Sequence, residues 1–466
     1  MISINKDSNV KMYEQLYEQI KKDILDGHLK SGQRLPATRK LAEEHDVSRN
    51  TVINAYNQLE LEGYIKSALG SGYFVQSITG LYPEQGKADI RSKAEAGKNE
   101  TTYDYIFSYG NLDYSCYQSK KWRKCIMEAC DMIASSNAAS YQMSKGSNTL
   151  RKLIKEHLHT TRGVVCDHEQ IIISSGHQCS MDIISNLFEP NRWTFAMEDP
   201  GYIGTHEIIS RHPFTIIPIP LEEDGVSLSC VKALKDTLLY VTPSHQFPMG
   251  KILPISKRLE LIGWANDNNS YIIEDDYDSE LRYQSKPIPS LQSIDKNGRT
   301  IYLGTFSKSM SPDLRVSYIV LPKALMNIYE DKYAHTNCTV PTLLQLALCE
   351  FIKSGQYQRH INAMRTHYKK KHDYISAYVK QNLSHKVKLL GSGAGLHFVL
   401  EIDTKLQQED IIKRFENESI KVYPTKPFWI DKEKCPGNQL LFGFSSIPSE
   451  KLPRAMDKFA KVARTL

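Results

Sequence analysis

The chain has no run of about 18 apolar residues, so the sequence predicts no membrane-spanning helix. Its opening stretch, MISINKDSNVKMYEQ, lacks the apolar core of a secretory signal. Nine cysteines are scattered without a CxxC pair. That pattern predicts reduced thiols in the cytoplasm and argues against a disulfide framework or a zinc site. Internal repeats are absent. Charge of one sign is also scarce: the net charge is +6 over 466 residues, and residues 1–76 hold ten Lys and Arg against ten Asp and Glu. Bulk charge therefore does not mark nucleic-acid binding, and any such reading rests on where the charges sit. What is present, 41% apolar and 24% charged residues, is the composition of a globular protein able to bury a large core. The length suits two or three domains.

One segment divides the chain. Residues 77–102, SITGLYPEQGKADIRSKAEAGKNETT, mix charge with few large apolar side chains. Such a stretch buries too little to offset its ordering entropy and reads as a linker. It leaves a head, residues 1–76, and a large region, residues 103–466.

In the head, Leu16, Ile20 and Ile24 recur at helical spacing, and Gly27 follows them. Pro36 is placed to open a short helix carrying Leu41. Ser48 is a fitting N-cap for a second helix that buries Val52, Ala55, Tyr56 and Leu59. Gly63 stops it. Two strand-like runs joined by Gly70-Ser71-Gly72 signal a hairpin. The order spells a winged helix-turn-helix. Arg49, Asn50, Thr51 and Asn54 fall on the exposed face of the second helix, where such side chains reach base edges and phosphates. Arg39 is placed for a phosphate, and Gly70 and Gly72 let the wing backbone approach closely.

The stretch LPATR, the stretch VSRNTV and the ending LELEGYI resemble the GntR family of bacterial transcription regulators. The resemblance implies double-stranded DNA as a partner and DNA contacts at Arg39, Ser48, Arg49, Thr51 and Gly70; the exposed helix face adds Asn50.

The large region alternates short apolar runs with amphipathic stretches, as in α/β proteins. Four strand ends carry polar clusters: IIISSGHQ, LLYVTPSHQ, YIIEDDYDSE and TIYLGTFSKSMSPDLR. Ligands bind beyond the carboxyl ends of strands in open α/β sheets. The first turn leaves the backbone N–H groups of Gly176, His177 and Gln178 at a helix N-terminus, ready for an anion. Thr305, Ser307 and Arg315 add phosphate donors. Lys308 has the amine that forms a Schiff base with an aldehyde. A carboxylate of EDDYD can pair with a protonated ring nitrogen, and Tyr202 of EDPGYIG can cover a ring. An aldehyde, a pyridine nitrogen and a phosphate together describe pyridoxal 5′-phosphate (PLP). The acids Glu274, Asp275, Asp276 and Asp278 could instead hold a hard cation, a weaker reading that leaves Lys308 unexplained.

The order GHQ, PGY, PSHQ, EDDY, SK and R resembles fold-type I aminotransferases over nearly the whole region. The joined halves resemble the MocR subgroup of GntR regulators. The fold class implied is α/β: a winged helix-turn-helix followed by a fold-type I, PLP-dependent aminotransferase-like domain. By motif position, Lys308 matches the Schiff-base lysine, Asp275 the pyridinium partner, Tyr277 the partner of the ring hydroxyl and Tyr202 the stacking aromatic. Gly176, His177, Gln178, Thr305, Ser307 and Arg315 match the phosphate cup, and His245 of PSHQ joins the cofactor-binding set. Tyr141 matches a tyrosine sent into the partner subunit's phosphate site, which implies a homodimer. The subgroup implies a bacterial, cytoplasmic, nucleoid-associated regulator.

The chain departs from working aminotransferases at the substrate carboxylate. Their clamping arginine falls at Leu441 here. GABA-sensing relatives place an arginine where this chain has Gly204. Losing such a charge-assisted pair forfeits about one to two decades of affinity; Lys426 and Arg365 are the candidate substitutes. The pattern favours a sensor of PLP, or of an amino compound reacting with it, over an aminotransferase with a regulatory head.

Overall fold

The computed structural model describes residues 4–5, 8, 10–68, 70–77, 102–113, 119–135, 143–283, 288–391 and 393–466. Tyr141 and most of the 77–102 segment lie outside these residues. The chain divides into two compact units, Met1–Glu100 and Thr101–Leu466. Among the described residues no helix is long and apolar enough to cross a membrane.

The first unit has three helices, α1 (Met12–Leu25), α2 (Thr38–Glu44) and α3 (Arg49–Leu61), and a hairpin of β1 (Ile65–Ala68) and β2 (Gly72–Val75). Leu16, Ile20 and Ile24 of α1 meet Leu41 of α2 and Val52, Ala55, Tyr56 and Leu59 of α3 in one core. Ser48 caps α3: its Oγ accepts from the Thr51 N–H at 3.1 Å. Gly63 leaves α3 with φ of 80°, a turn that a side chain would strain. Pro36 differs from expectation. The helix begins at Thr38, and the Pro36 carbonyl instead accepts from the Tyr56 hydroxyl at 3.0 Å, fastening the loop to α3.

The second unit holds an eight-stranded sheet. Its strands are β4 (Ile171–Ser174), β5 (Thr194–Asp199), β6 (Ile216–Glu222), β7 (Gly225–Val226), β8 (Thr237–Val241), β9 (Tyr271–Asp276), β10 (Thr300–Thr305) and β11 (Ser317–Val320), preceded in the chain by the short β3 (Tyr105–Ile106). The order is β4-β11-β10-β9-β8-β5-β6-β7. The pairs from β10 to β6 are parallel, whereas β11 runs antiparallel to both its neighbours. Runs such as Ile171-Ile172-Ile173 and Tyr271-Ile272-Ile273 are buried on both faces, as expected for strands covered by helices. A second sheet, β12 (Val387–Leu390), β13 (His397–Ile402), β15 (Tyr423–Pro424) and β16 (Gln439–Gly443), is antiparallel in the order β12-β13-β16-β15. Between β13 and β15 in the chain, β14 (Ile420–Lys421) pairs in parallel with β3. That pairing ties the start of the unit to its end, where Phe107 stacks on Phe442 with ring centroids 4.1 Å apart.

The acidic run at the end of β9 is sorted by strand alternation. Glu274 accepts from the N–H groups of Leu291 and Gln292 at 2.8 and 3.0 Å, holding a helix start. Asp276 takes the Arg162 guanidinium at 2.7 Å, with both side chains buried. Asp276 also accepts from the Tyr302 hydroxyl, and Arg162 reaches Ser244 Oγ and the Ile288 carbonyl. Asp275, between them in sequence, turns to the other face. Replacing Arg162 by Met should destabilise the unit by about 3–5 kcal/mol, because Asp276 is left buried and uncompensated. A lowered urea midpoint is the measurement, and adding Asp276→Leu to that variant should recover part of the loss.

Candidate functional site

The ends of β8, β9 and β10 meet around a pocket of about 740 Å³, its open mouth included. That is the size of a small-molecule site. Lys308 lies in the turn after β10, with its Nζ 4.2 Å from the centre of the Tyr109 ring. A Cβ on Gly110 would lie 3.3 Å from this Nζ, so glycine keeps the space beside the amine open. Burial lowers the Lys308 amine to about 8, against the opposing pull of Asp278 and Asp275.

Asp275 enters the pocket from β9 and accepts from the Tyr240 hydroxyl. Burial pushes its carboxyl up to about 7, with the Tyr240 bond opposing and Asp276 and Asp278 adding to the rise. The Nδ1 of His177 lies 3.3 Å from Asp275, the distance of an ion pair. The charge of one is missing, because burial, and then Arg315, hold His177 down to about 4. Asp275 is thus a buried acid facing a neutral imidazole. The His177 ring is fixed on its other side by Thr205 at 2.8 Å and meets Tyr202 edge-on at 5.2 Å.

The anion side of the pocket is built from backbone freedom. Gly176 caps the helix His177–Asn186 with φ of 88°. A Cβ there would collide with the Arg315 guanidinium. Arg315 itself takes a left-handed conformation, φ 49°, after a short turn at Pro312–Leu314. Among the described residues no carboxylate pairs with it. Thr305, Ser307, Ser180 and Ser317 bring hydroxyls to the same pocket. An unpaired guanidinium, a helix N-terminus and hydroxyls make an anion site.

Sequence reasoning and structure differ at several positions. Gln178 keeps its backbone N–H in the first turn of the helix His177–Asn186, as expected, while the residue is exposed and its side chain does not line the pocket. His177 contributes its ring, turned to Asp275. His245 is buried behind the pocket, with its Nδ1 2.8 Å from Asp278, and it accepts the Tyr277 hydroxyl through its carbonyl at 2.9 Å. Tyr141 lies outside the described residues. Tyr109, Tyr240, Thr242, Phe247, Ser180 and Ser317 line the pocket and were not foreseen. Tyr240 was visible as a polar-tipped residue near the end of β8, but Tyr109 comes from a distant segment with no local signal.

The positions of the missing clamp are closed. Leu441 is buried and packs with Phe247 and Val399. A Cβ on Gly204 would fall 2.7 Å from the Tyr202 ring, so no longer side chain fits while that ring holds its place. Lys426 turns to Glu409 at 3.3 Å, and Arg365 donates to the Glu280 carbonyl at 2.9 Å. Neither lines the pocket, whose only cations among the described residues are Lys308 and Arg315.

The head offers a second surface. Arg39, Arg49, Asn50 and Asn54 are exposed. Thr51 is half-buried and its hydroxyl lies 2.9 Å from Ser48 Oγ, so this pair serves the helix cap. Gly70 has φ of 75° at the wing turn.

The comparisons agree with this division. The family described as "Bacterial regulatory proteins, gntR family" matches residues 12–75, and "Aminotransferase class I and II" matches residues 106–457. A kynurenine aminotransferase of Pyrococcus horikoshii shares the fold with a TM-score of 0.70 at 21% identity, over 82% of this chain and 95% of that one. The class is therefore a DNA-binding head fused to an aminotransferase-like domain. The HTH-type transcriptional regulator YdeL of Bacillus subtilis is 35% identical over 98% of this chain and 97% of its own. The probable rhizopine catabolism regulatory protein MocR of Rhizobium meliloti is 32% identical, over 91% and 88%. The pyridoxine biosynthesis transcriptional regulator PdxR of Corynebacterium glutamicum is 29% identical, over 97% and 96%. The chain belongs to the MocR-type transcription regulators of the GntR family.

The lowered Lys308 amine yields a pH test. In competitive labelling of the ligand-free protein with a small acylating reagent, Lys308 should reach half its maximal reactivity near pH 8, well below exposed lysines. Half-maximal labelling near 10.5 would contradict the burial that lowers it.

Proposed function

We propose that the pocket holds PLP and that the protein reports PLP, or an amino compound reacting with it, to its DNA-binding head. The observation that carries this reading is the convergence in one pocket of a low-pKa lysine, a buried acid without a cation and an unpaired arginine beside a helix N-terminus. The donor set fits the group part by part. Lys308 would take the aldehyde, Asp275 the ring nitrogen, and Arg315 with the Gly176 turn, Thr305 and Ser307 the phosphate. The glycine space against Arg315 and the glycine space beside Lys308 are what a bound ring and phosphate need.

When bound, PLP supplies an electrophilic carbonyl and an electron-withdrawing ring. The chain's own residues do the rest. Burial keeps a fraction of Lys308 neutral and nucleophilic near neutral pH. Asp275, at about 7, gains a partner when a protonated ring nitrogen arrives, and its charge is then favoured. Tyr240 and His177 hold that carboxylate in place. Tyr202 and Phe247 wall the pocket.

The closed clamp supports a sensor rather than a metabolic aminotransferase. With Leu441 and Gly204 in place of arginines, an α-carboxylate has no second cation to meet. This leaves PLP itself, as the name of PdxR suggests for that relative, as the leading effector, with a carboxylate-independent amine as the second. We infer a cytoplasmic homodimer with a linker at 77–102 and two heads reading two half-sites.

The purified protein should show a visible absorbance band that borohydride removes, and Lys308→Ala should lose it. Asp275→Asn should weaken PLP retention by about tenfold or more, since a charge-assisted bond is lost. A band unchanged in both variants would sink the reading. On the DNA side, PLP should change operator affinity in a gel-shift assay by a factor of about 5–150, the usual range of coupling between sites. Arg49→Ala should weaken operator binding while leaving the absorbance band intact. Unaltered affinity in that variant would show that α3 does not read the operator.

A further inference from the structure

Residues 107–113 form a strap against the pocket, and in chain order they join the 77–102 segment to the site. At the start of the strap the Phe107 N–H donates to the Lys421 carbonyl at 2.9 Å, and the Phe107 carbonyl accepts from the Gly443 N–H at 3.1 Å. A Cβ on Gly443 would collide with the Ser108 carbonyl, so glycine in β16 lets the strap lie close. Tyr109 then packs on Phe247 and on His397, with ring centroids 4.9 Å apart in each case. The face of its ring meets the Lys308 ammonium, and Gly110 lies beside the same amine.

The far end of the strap is fastened by a buried ion pair. Lys371, on the long helix Gln356–Asn382, is 1% exposed and meets the Asp113 carboxylate at 2.7 Å. Its ammonium also donates to the carbonyls of Ser445 and Ile447, beyond the end of β16, at 3.1 and 2.6 Å. The Asp113 N–H donates to the Tyr368 hydroxyl at 3.0 Å, and the Ser445 hydroxyl donates to the Asn111 carbonyl. His367 lies 3.1 Å from the same carboxylate. Burial, and then Lys371, hold His367 below its ordinary value, so near pH 8 it brings no charge. One ammonium thus ties the strap, the helix and the chain after β16 together, and a buried charge with one partner removed is costly.

This clasp is separate from the pocket's own charges. Neither Lys371 nor Asp113 lines the pocket. The charges that act on the Lys308 amine are Asp278 and Asp275, with Arg315 in the same lining.

We propose that Lys371 and Asp113 are positioning residues for Lys308: through the strap they seat Tyr109 and Gly110 against the amine and keep water from it. An ammonium loses more by leaving water than one ring face returns, so loosening the strap lets the amine regain solvent and charge. The proposal rests on the strap's own contacts and holds whatever ligand the pocket takes.

Competitive labelling of the ligand-free, full-length protein tests it. Lys371→Met and Asp113→Asn should each raise the pH of half-maximal Lys308 labelling by about one unit, which is about a tenfold loss of neutral amine at pH 7. The sign in Asp113→Asn separates two causes. Removing an acid lowers a lysine through its field alone, whereas a loosened strap raises it. Tyr109→Ala removes the ring while leaving the clasp, and it should give the same upward shift. A clasp that serves stability alone would lower the urea midpoint of Lys371→Met and leave the labelling pH near 8. That outcome overturns the proposal, as does an absent or downward shift in Asp113→Asn or Tyr109→Ala. Where Lys371→Met does not fold, the other two variants decide.

Discussion

The buried pair between Arg162 and Asp276 fixes the end of β9, and the pocket depends on that end. Arg162 closes a helix, and its guanidinium spans Asp276, Ser244 and the Ile288 carbonyl. It therefore joins the strand to the loop after β8 and to the segment after β9. A charge removed from water needs such a full set of partners, since an incompletely paired one costs several kcal/mol. With Asp276 held from behind, strand alternation has one outcome for its neighbour: Asp275 faces the pocket. The pairing of β9 with β10 then sets Asp275 beside Leu303, five residues before Lys308.

The same burial that makes the pair rigid makes the pocket reactive. Lys308 is lowered to about 8 and Asp275 raised to about 7, so neither group is locked in its usual charge state near neutral pH. The consequence for stability follows the sign of each shift. Below about pH 8 folding must desolvate the Lys308 ammonium, and this penalty falls as pH rises from about 8 towards 10.5. Asp275 acts oppositely: its folded state holds a proton more tightly, so its contribution falls as pH rises from 3.8 to about 7. Around neutrality the empty pocket carries both penalties. A ligand that offers an aldehyde to the amine and a protonated nitrogen to the acid relieves both, and that is the physical sense in which the site is built for it.

Much of this was legible in the sequence because it is local. The head's helices follow from the 3.6-residue spacing of Leu16, Ile20, Ile24 and of Val52, Ala55, Tyr56, Leu59, and Ser48 caps the helix it precedes. Asp275, Lys308 and Arg315 sit at strand ends, where a run of apolar residues breaks into polar ones. What was illegible is what depends on direction or on distant segments. No local pattern says that His177 turns its ring to Asp275, that Gln178 points away, or that His245 lies behind Tyr277. Tyr109 reaches Lys308 only because β3 pairs with β14 and brings the start of the unit over the pocket. Pro36 had the right identity to begin a helix, but the helix starts two residues later, at Thr38, and the Pro36 carbonyl accepts from Tyr56.

The departures at Leu441 and Gly204 acquire a physical meaning from the packing. Leu441 is one of three buried residues, with Phe247 and Val399, in a cluster that also touches Tyr109, Tyr202 and Tyr277. The position to which the resemblance assigns a clamping arginine is thus part of the apolar frame of the pocket. A guanidinium placed there would need desolvation and a partner. A ligand shifts DNA affinity only by the difference in its binding to two states of the protein. On the proposed reading that difference must come from the ring, the aldehyde and the phosphate, since these are the groups the pocket engages. An enzyme needs the clamp to orient a substrate for turnover, whereas a sensor needs only that the bound state be favoured. Apolar packing at Leu441 secures the frame without adding a group whose charge the effector would have to match.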